Sequence, residues 1–170
     1  MKRRWGLGLL GLMLLLPSCG YRLAGGGRNI PEDVRLVAIP EFTNRSTRFE
    51  AERFFTQAIR EAFLSRTRLK LVSEVSDAQA VLEGSIDSLQ VKPISFSAYG
   101  AAHLYRVTVV VSVRWVDQIR NKVLAEKSKI TFEGEYDTDQ GDFMNQESLA
   151  LRKVAKDTAE TVVATVLDAY

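Results

Sequence analysis

Between Tyr105 and Trp115 apolar and polar residues alternate almost one for one. Tyr105, Val107, Val109, Val111, Val113 and Trp115 fall on one side, and Arg106, Thr108, Val110, Ser112 and Arg114 on the other. Successive side chains of a strand point to opposite faces, so this pattern predicts a long antiparallel strand with one face buried. Residues 117–122, DQIRNK, read as a turn, and another strand is predicted from about Val123 to Glu135. In it Leu124, Ile130 and Phe132 share one face, and Ala125, Lys127, Lys129 and Thr131 the other. Setting Trp115 opposite Leu124 joins the apolar faces and puts Lys127 opposite Ser112, which leaves a basic-tinged outer face.

Upstream, VRLVAIPEF (34–42) is a β-branched run with Pro40 near its end, which predicts an edge strand or a strand terminus. AVLEGSIDSLQV (80–91) predicts a second main strand, with Gly84 marking a bulge or a close approach. Leu69 to Ser73 reads as a short strand or the lead into one, and Glu74 to Gln79 as a connection. Two segments change period. Ala51, Phe54, Phe55, Ala58, Ile59, Ala62 and Phe63 recur at spacings of three and four. So do Leu151, Val154, Ala155, Thr158, Ala159, Val162, Val163 and Val166. Each stripe marks an amphipathic helix lying on a core, the second preceded by Asp142 or Asn145 as its cap. The aromatic stripe of the first helix is read as packing, and Arg152, Lys153, Lys156, Asp157 and Glu160 as a solvated face.

The order strand, helix, strand, strand, strand, helix predicts an α+β fold. Two helices pack on one face of a four-stranded mixed sheet as a two-layer sandwich. The first helix requires a right-handed crossover, so the strands it joins form the parallel pair. Two stripes cover one sheet face only, and the other is left to solvent or a partner.

The amino-terminal segment has a different pattern. Lys2, Arg3 and Arg4 precede an apolar run from Trp5 to Leu16, which ends in Leu16-Pro17-Ser18-Cys19. That is a secretory signal of residues 1–18, too short to serve as a mature spanning helix. Its ending is similar to a bacterial lipobox, with Pro17 departing from the commonest form. Cys19 is the chain's single cysteine, and at the first mature position it is read as the lipidation site. Each buried methylene of an acyl chain contributes about 0.8 kcal/mol, and one chain anchors only marginally, so a multiply acylated Cys19 would hold the domain durably on a membrane. Gly20 after it, by resemblance to enterobacterial sorting, points to the outer membrane. Residues 19–30, with Gly25 to Gly27, form a tether, and 31–170 a single domain.

Charge bears on partners once the signal is set aside. The chain has 23 Lys and Arg against 21 Asp and Glu, and three of the bases lie in the signal, which leaves 20 against 21. No global field attracts nucleic acid. His103 is the sole histidine, so no histidine cluster can bind a metal, and an acylated Cys19 is unavailable as a nucleophile. Glu83 and Asp87 share a strand face and are read as surface charges rather than an acid and base pair. These features predict no enzyme, no cofactor and no metal site.

The motifs in order resemble the LPS-assembly lipoprotein LptE family. They are CGYRL directly at the lipobox, VRLVAIPEFTNRST before an amphipathic helix, AVLEGSI, a strand beginning LYRVTV, and a long terminal helix. The resemblance covers essentially the whole mature chain. It implies an outer-membrane, periplasmic-side lipoprotein, held by its acylated Cys19, that plugs the LptD β-barrel. Together the two insert lipopolysaccharide into the outer leaflet, and the lipoprotein binds lipopolysaccharide and assists barrel assembly. For phosphate recognition the candidates are Lys127, at the family's basic position on the fourth strand, Lys129, Lys92, Arg106 and Arg114. The loop 93–103, where the family has another basic residue, contains only His103. The competing readings are a CsgG-like secretion-pore subunit, whose opening strand is alike, and a structural envelope lipoprotein. Arg106, Arg114, Lys127 and Lys129 on a face that would meet lipid weigh against the pore.

Overall fold

The computed structural model describes residues 31, 33–139 and 142–168. The signal 1–18, Cys19 and the tether 19–30 lie outside the described residues. The elements are β1 (Leu36–Ala38), β2 (Thr43–Asn44), α1 (Ala51–Arg66), β3 (Lys70–Val72), a 3-10 turn (Val75–Asp77), β4 (Ala80–Phe96), β5 (Ala102–Asp117), β6 (Lys122–Asp137) and α2 (Phe143–Asp168). They build one mixed sheet in the order β3-β1-β4-β5-β6, with β2 also paired to β4.

The sheet therefore has six strands rather than the four expected, within the expected α+β class. Of the predicted strand 34–42 only Leu36–Ala38 forms β1, and a second short strand, β2, follows just beyond its end. β1 pairs parallel with the start of β4 (Val37 with Ala80), and β2 pairs parallel further along it (Thr43 with Ser85). Pro40 lies between them and has no N–H to donate to a ladder, which accounts for the interruption. β3 forms the far edge, parallel to β1. The parallel contact expected across the first helix is present between β1 and β4.

β4, β5 and β6 form a long antiparallel meander, with Leu82 opposite Trp115, Ile86 opposite Val111 and Val109 opposite Phe132. Both helices cover the same face. Phe55, Ile59 and Phe63 of α1 and Val154, Ala159, Val162, Val163 and Val166 of α2 are buried with Leu82, Ile86, Val107, Val109, Val111 and Trp115. Fully burying each large apolar side chain stabilises the fold by roughly 1.5–3 kcal/mol relative to exposure. The Phe63 and Trp115 rings meet at 5.9 Å. Phe54, placed in the core stripe by its spacing, is 39% exposed and lies beneath the Arg152 guanidinium instead. Thr56 is buried on α1 and accepts the Phe42 N–H, so the polar atom is satisfied as the loop crosses onto the sheet.

Gly84 is the close approach expected of it. A Cβ there would lie 2.0 Å from the Phe42 ring. Gly134 does the same for the second helix, since a Cβ would come within 2.4 Å of Val154 Cγ2.

Two ion-pair clusters close the ends. At one, Arg120 in the β5–β6 turn holds the buried Asp117 at 2.7 Å and reaches Asp33 at 2.9 Å. At the other, Arg48 pairs at 2.7 Å with the buried Glu147 of α2. Tyr136, stacked on Tyr105 at 5.2 Å, is pushed up to about 12 by burial and then by Glu147.

The register between β5 and β6 differs from expectation. Trp115 faces Ala125 rather than Leu124, and Val113 rather than Ser112 faces Lys127. Two irregularities cause this. Between Val111 and Val113 the partner strand advances from Ile130 to Lys127, and between Trp115 and Val116 it advances from Ala125 to Val123. Each extra residue inverts the alternation of the strand.

Candidate functional site

The face of the sheet away from the helices carries Glu83, Ser85, Asp87, Gln90 and Lys92 on β4, and Arg106, Thr108, Val110, Ser112 and Arg114 on β5. On β6 it carries Glu126, Thr131, Glu133 and Glu135, placed there by cross-strand pairing. Of the predicted cations, Lys92 and Arg106 are cross-strand neighbours. Arg106 is bound to Glu135 at 2.8 Å and lies 3.8 Å from Glu133. Glu135, accepting its hydrogen bonds, pushes the guanidinium above its ordinary value. Arg114 lies 3.8 Å from Glu83 and opposite Glu126. The basic-tinged face expected from the sequence is thus a chequer of both signs, because Glu126, Glu133 and Glu135 of β6 project beside the arginines.

The two lysines of β6 are not on one common face. Lys127 pairs with Val113 and so projects on the helix side, while Lys129 sits at the bulge with φ +57°. Both are exposed. Among the described residues Lys92, Lys127 and Lys129 make no ion pair, in contrast to Arg106 and Arg114.

A polar cluster behind Lys129 was not singled out by sequence reasoning. β4 carries a bulge of its own, between Ile86 and Ser88, which sets Asp87 apart from the ladder. Its carboxylate accepts the Ser85 hydroxyl at 2.8 Å, the Ser112 hydroxyl, and Arg45 at 3.2 Å. Burial raises this carboxyl, but the two hydroxyls and Arg45 outweigh it and hold it below the ordinary range. Ser112 in turn accepts the Lys129 N–H at 3.0 Å. One serine of β5 therefore joins the bulges of both neighbouring strands. The signal in sequence is slight: Ser112 interrupts a run of valines, and Ser85 and Asp87 are two apart. Beside this cluster lies an open polar hollow lined in part by Arg45, Ser85, Arg114 and Ser128.

The expected loop 93–103 is shorter than read, because β4 continues to Phe96 and β5 begins at Ala102. Ile94 and Phe96 at the end of β4 and Tyr99 in the remaining loop are exposed apolar side chains, and the His103 carbonyl on β5 accepts the Thr138 N–H at 2.8 Å. Among the described residues no group of three or more His, Cys, Asp or Glu side chains could hold a metal, and no helix is long and apolar enough to cross a membrane.

Comparison with known proteins gives the family context. A family model described as LptE, Lipopolysaccharide-assembly, matches residues 34–166. No curated protein sequence matches the chain. Among solved structures, an uncharacterized lipoprotein B from Nitrosomonas europaea is similar with a TM-score of 0.58 at 17% identity, over 86% of this chain and 90% of that one. A dodecamer of a PelC point variant from Paraburkholderia phytofirmans gives 0.54 at 14% identity, over 78% and 89%. The hypothetical protein CT253 from Chlamydia trachomatis gives 0.54 at 13% identity, over 81% and 99%. At these identities the three structures show a shared fold.

Proposed function

Because the chain belongs to the LptE family of lipopolysaccharide-assembly proteins, we propose that it is an outer-membrane lipoprotein acting with an LptD-type β-barrel as plug and assembly partner. In this role it binds lipopolysaccharide and helps insert it into the outer leaflet. Acylation at Cys19 keeps the domain on the periplasmic side of the membrane beside the barrel, and no catalysis is required of it.

The observation that carries this reading is the family match across 34–166, nearly the whole folded domain. Two features of the fold support it. One sheet face has no helix on it, which is what a domain seated against a barrel wall needs. Lys92, Lys127 and Lys129 are cations without an ion-pair partner among the described residues, so phosphate groups can bind them without first displacing a carboxylate. A pore-forming reading gains nothing from the structure, since a hairpin face bearing Arg106, Arg114, Glu133 and Glu135 is costly in lipid.

The test is affinity purification of the full chain from mild detergent. An outer-membrane barrel of LptD type should be recovered with it in equal amount. Recovery of self-oligomers alone would overturn the reading.

A further inference from the structure

We infer that Ser112, fixed by Asp87, is a positioning residue for an anion-binding pair formed by Lys127 and Lys129. This rests on the proposed lipopolysaccharide binding and deepens it. The two lysines would follow a simple alternation if β6 were regular, both projecting on the outer face. The bulge separates them: Lys127 goes to the Val113 side, while Lys129 falls in the irregularity itself and drops out of the pairing. Both lysines are exposed and close in sequence on the edge strand, so a phosphorylated headgroup arriving there can meet both.

The bulge needs support of its own. Lys129 has φ +57°, a left-handed conformation that costs an L-residue free energy and that glycine usually occupies. β6 is also the sheet's edge strand, with no further strand to hold its register. What holds it is the Ser112 hydroxyl, which accepts the Lys129 N–H and donates its own proton to Asp87. An anionic acceptor fixes the direction of that proton and leaves the serine lone pair turned to β6. Ser85 and Arg45 hold the carboxylate in turn. Losing the hydroxyl frees β6 to slip by one residue, and a slip of one carries Lys127 to the opposite face.

The experiment compares Ser112→Thr with Ser112→Val in the full chain, two substitutions of nearly equal volume that differ in the hydroxyl. Equilibrium binding of purified lipopolysaccharide is measured in detergent across a salt series, and amide hydrogen exchange is followed at Lys129. The threonine variant should bind like the parent. The valine variant should bind about three- to tenfold more weakly, the worth of one hydrogen bond, with a shallower salt dependence and faster exchange at Lys129. A Lys127→Ala/Lys129→Ala double variant separates the two levels of the argument. If it loses binding while Ser112→Val keeps parental affinity, the positioning role is wrong and the lipid-binding reading stands. If the double variant binds as the parent does, the lysines are not the anion site and the inference fails while the lipid-binding reading stands. A parent chain that binds no lipopolysaccharide overturns that reading instead. Should Ser112→Val not fold, Asp87→Asn keeps the shape, removes the charge that orients the serine, and should weaken binding in the same direction. Parental affinity in Asp87→Asn then overturns the inference.

Discussion

Asp87 shows how a single side chain ties stability to pH. Its folded value lies below the ordinary 3.8, because the hydroxyls of Ser112 and Ser85 and the Arg45 guanidinium favour the charged form more than burial opposes it. A group depressed in this way contributes stability that is complete above its unfolded value and is lost as pH falls through its folded value. The stability gap between the parent chain and Asp87→Asn, measured by urea unfolding, should therefore be constant near neutrality and close below about pH 4. A gap that persists unchanged to pH 2 would show that the carboxylate is not held as described. Asp87 was visible in the sequence as an outward carboxylate four residues from Glu83. Its partnership with Ser112 was not, since that depends on which residue of β5 a bulged strand faces.

At the scale of elements, legibility followed regularity. The period-two run of β5 and the two helical stripes were readable because each repeats over many residues against one buried face. β6 misled because it is an edge strand of mixed polarity in which two extra residues invert the alternation, so Ala125 and Lys127 face the helix side while Thr131 faces outward. β2, Thr43–Asn44, is too short to carry any period at all, whereas β3, Lys70–Val72, falls within the stretch Leu69 to Ser73 read as a short strand or the lead into one. Glycine punctuation was partly readable: Gly84 was flagged, but Gly134, on which α2 rests through Val154, was not. Its absent side chain sets the distance between helix and sheet. Gly134→Ala should destabilise the fold by about 1–3 kcal/mol, the usual cost of overpacking, and Val154→Ala in the same chain should recover part of that loss. Denaturant midpoints of the two singles and the double would check it. Strict additivity, with no recovery, would mean the contact does not set the spacing.

For the whole molecule, the sequence disclosed the layer arrangement and the uncovered sheet face. It disclosed less of the candidate cation site. Lys127 and Lys129 were legible by residue type, but their separation by a bulge, with only Lys127 in the ladder, is a property of the register. The topology also has a consequence for how the chain reaches this state. β4, β5 and β6 pair with their sequence neighbours across the 97–101 loop and the 118–121 turn. β1, by contrast, waits for Val37 to meet Ala80 with all of α1 between them. Closing short loops costs less chain entropy than closing long ones, so the meander is the natural place for folding to begin. The strand made first on the ribosome is then among the last to find its place. Pulse-labelled hydrogen exchange during refolding should protect the amides of Val107 to Val113 before those of Val37 and Ala38, and simultaneous protection would argue for a single concerted step. Until β4 is in place the only ladder open to β1 is the three-residue β3, so the opening strand is held by little while the body of the domain takes shape.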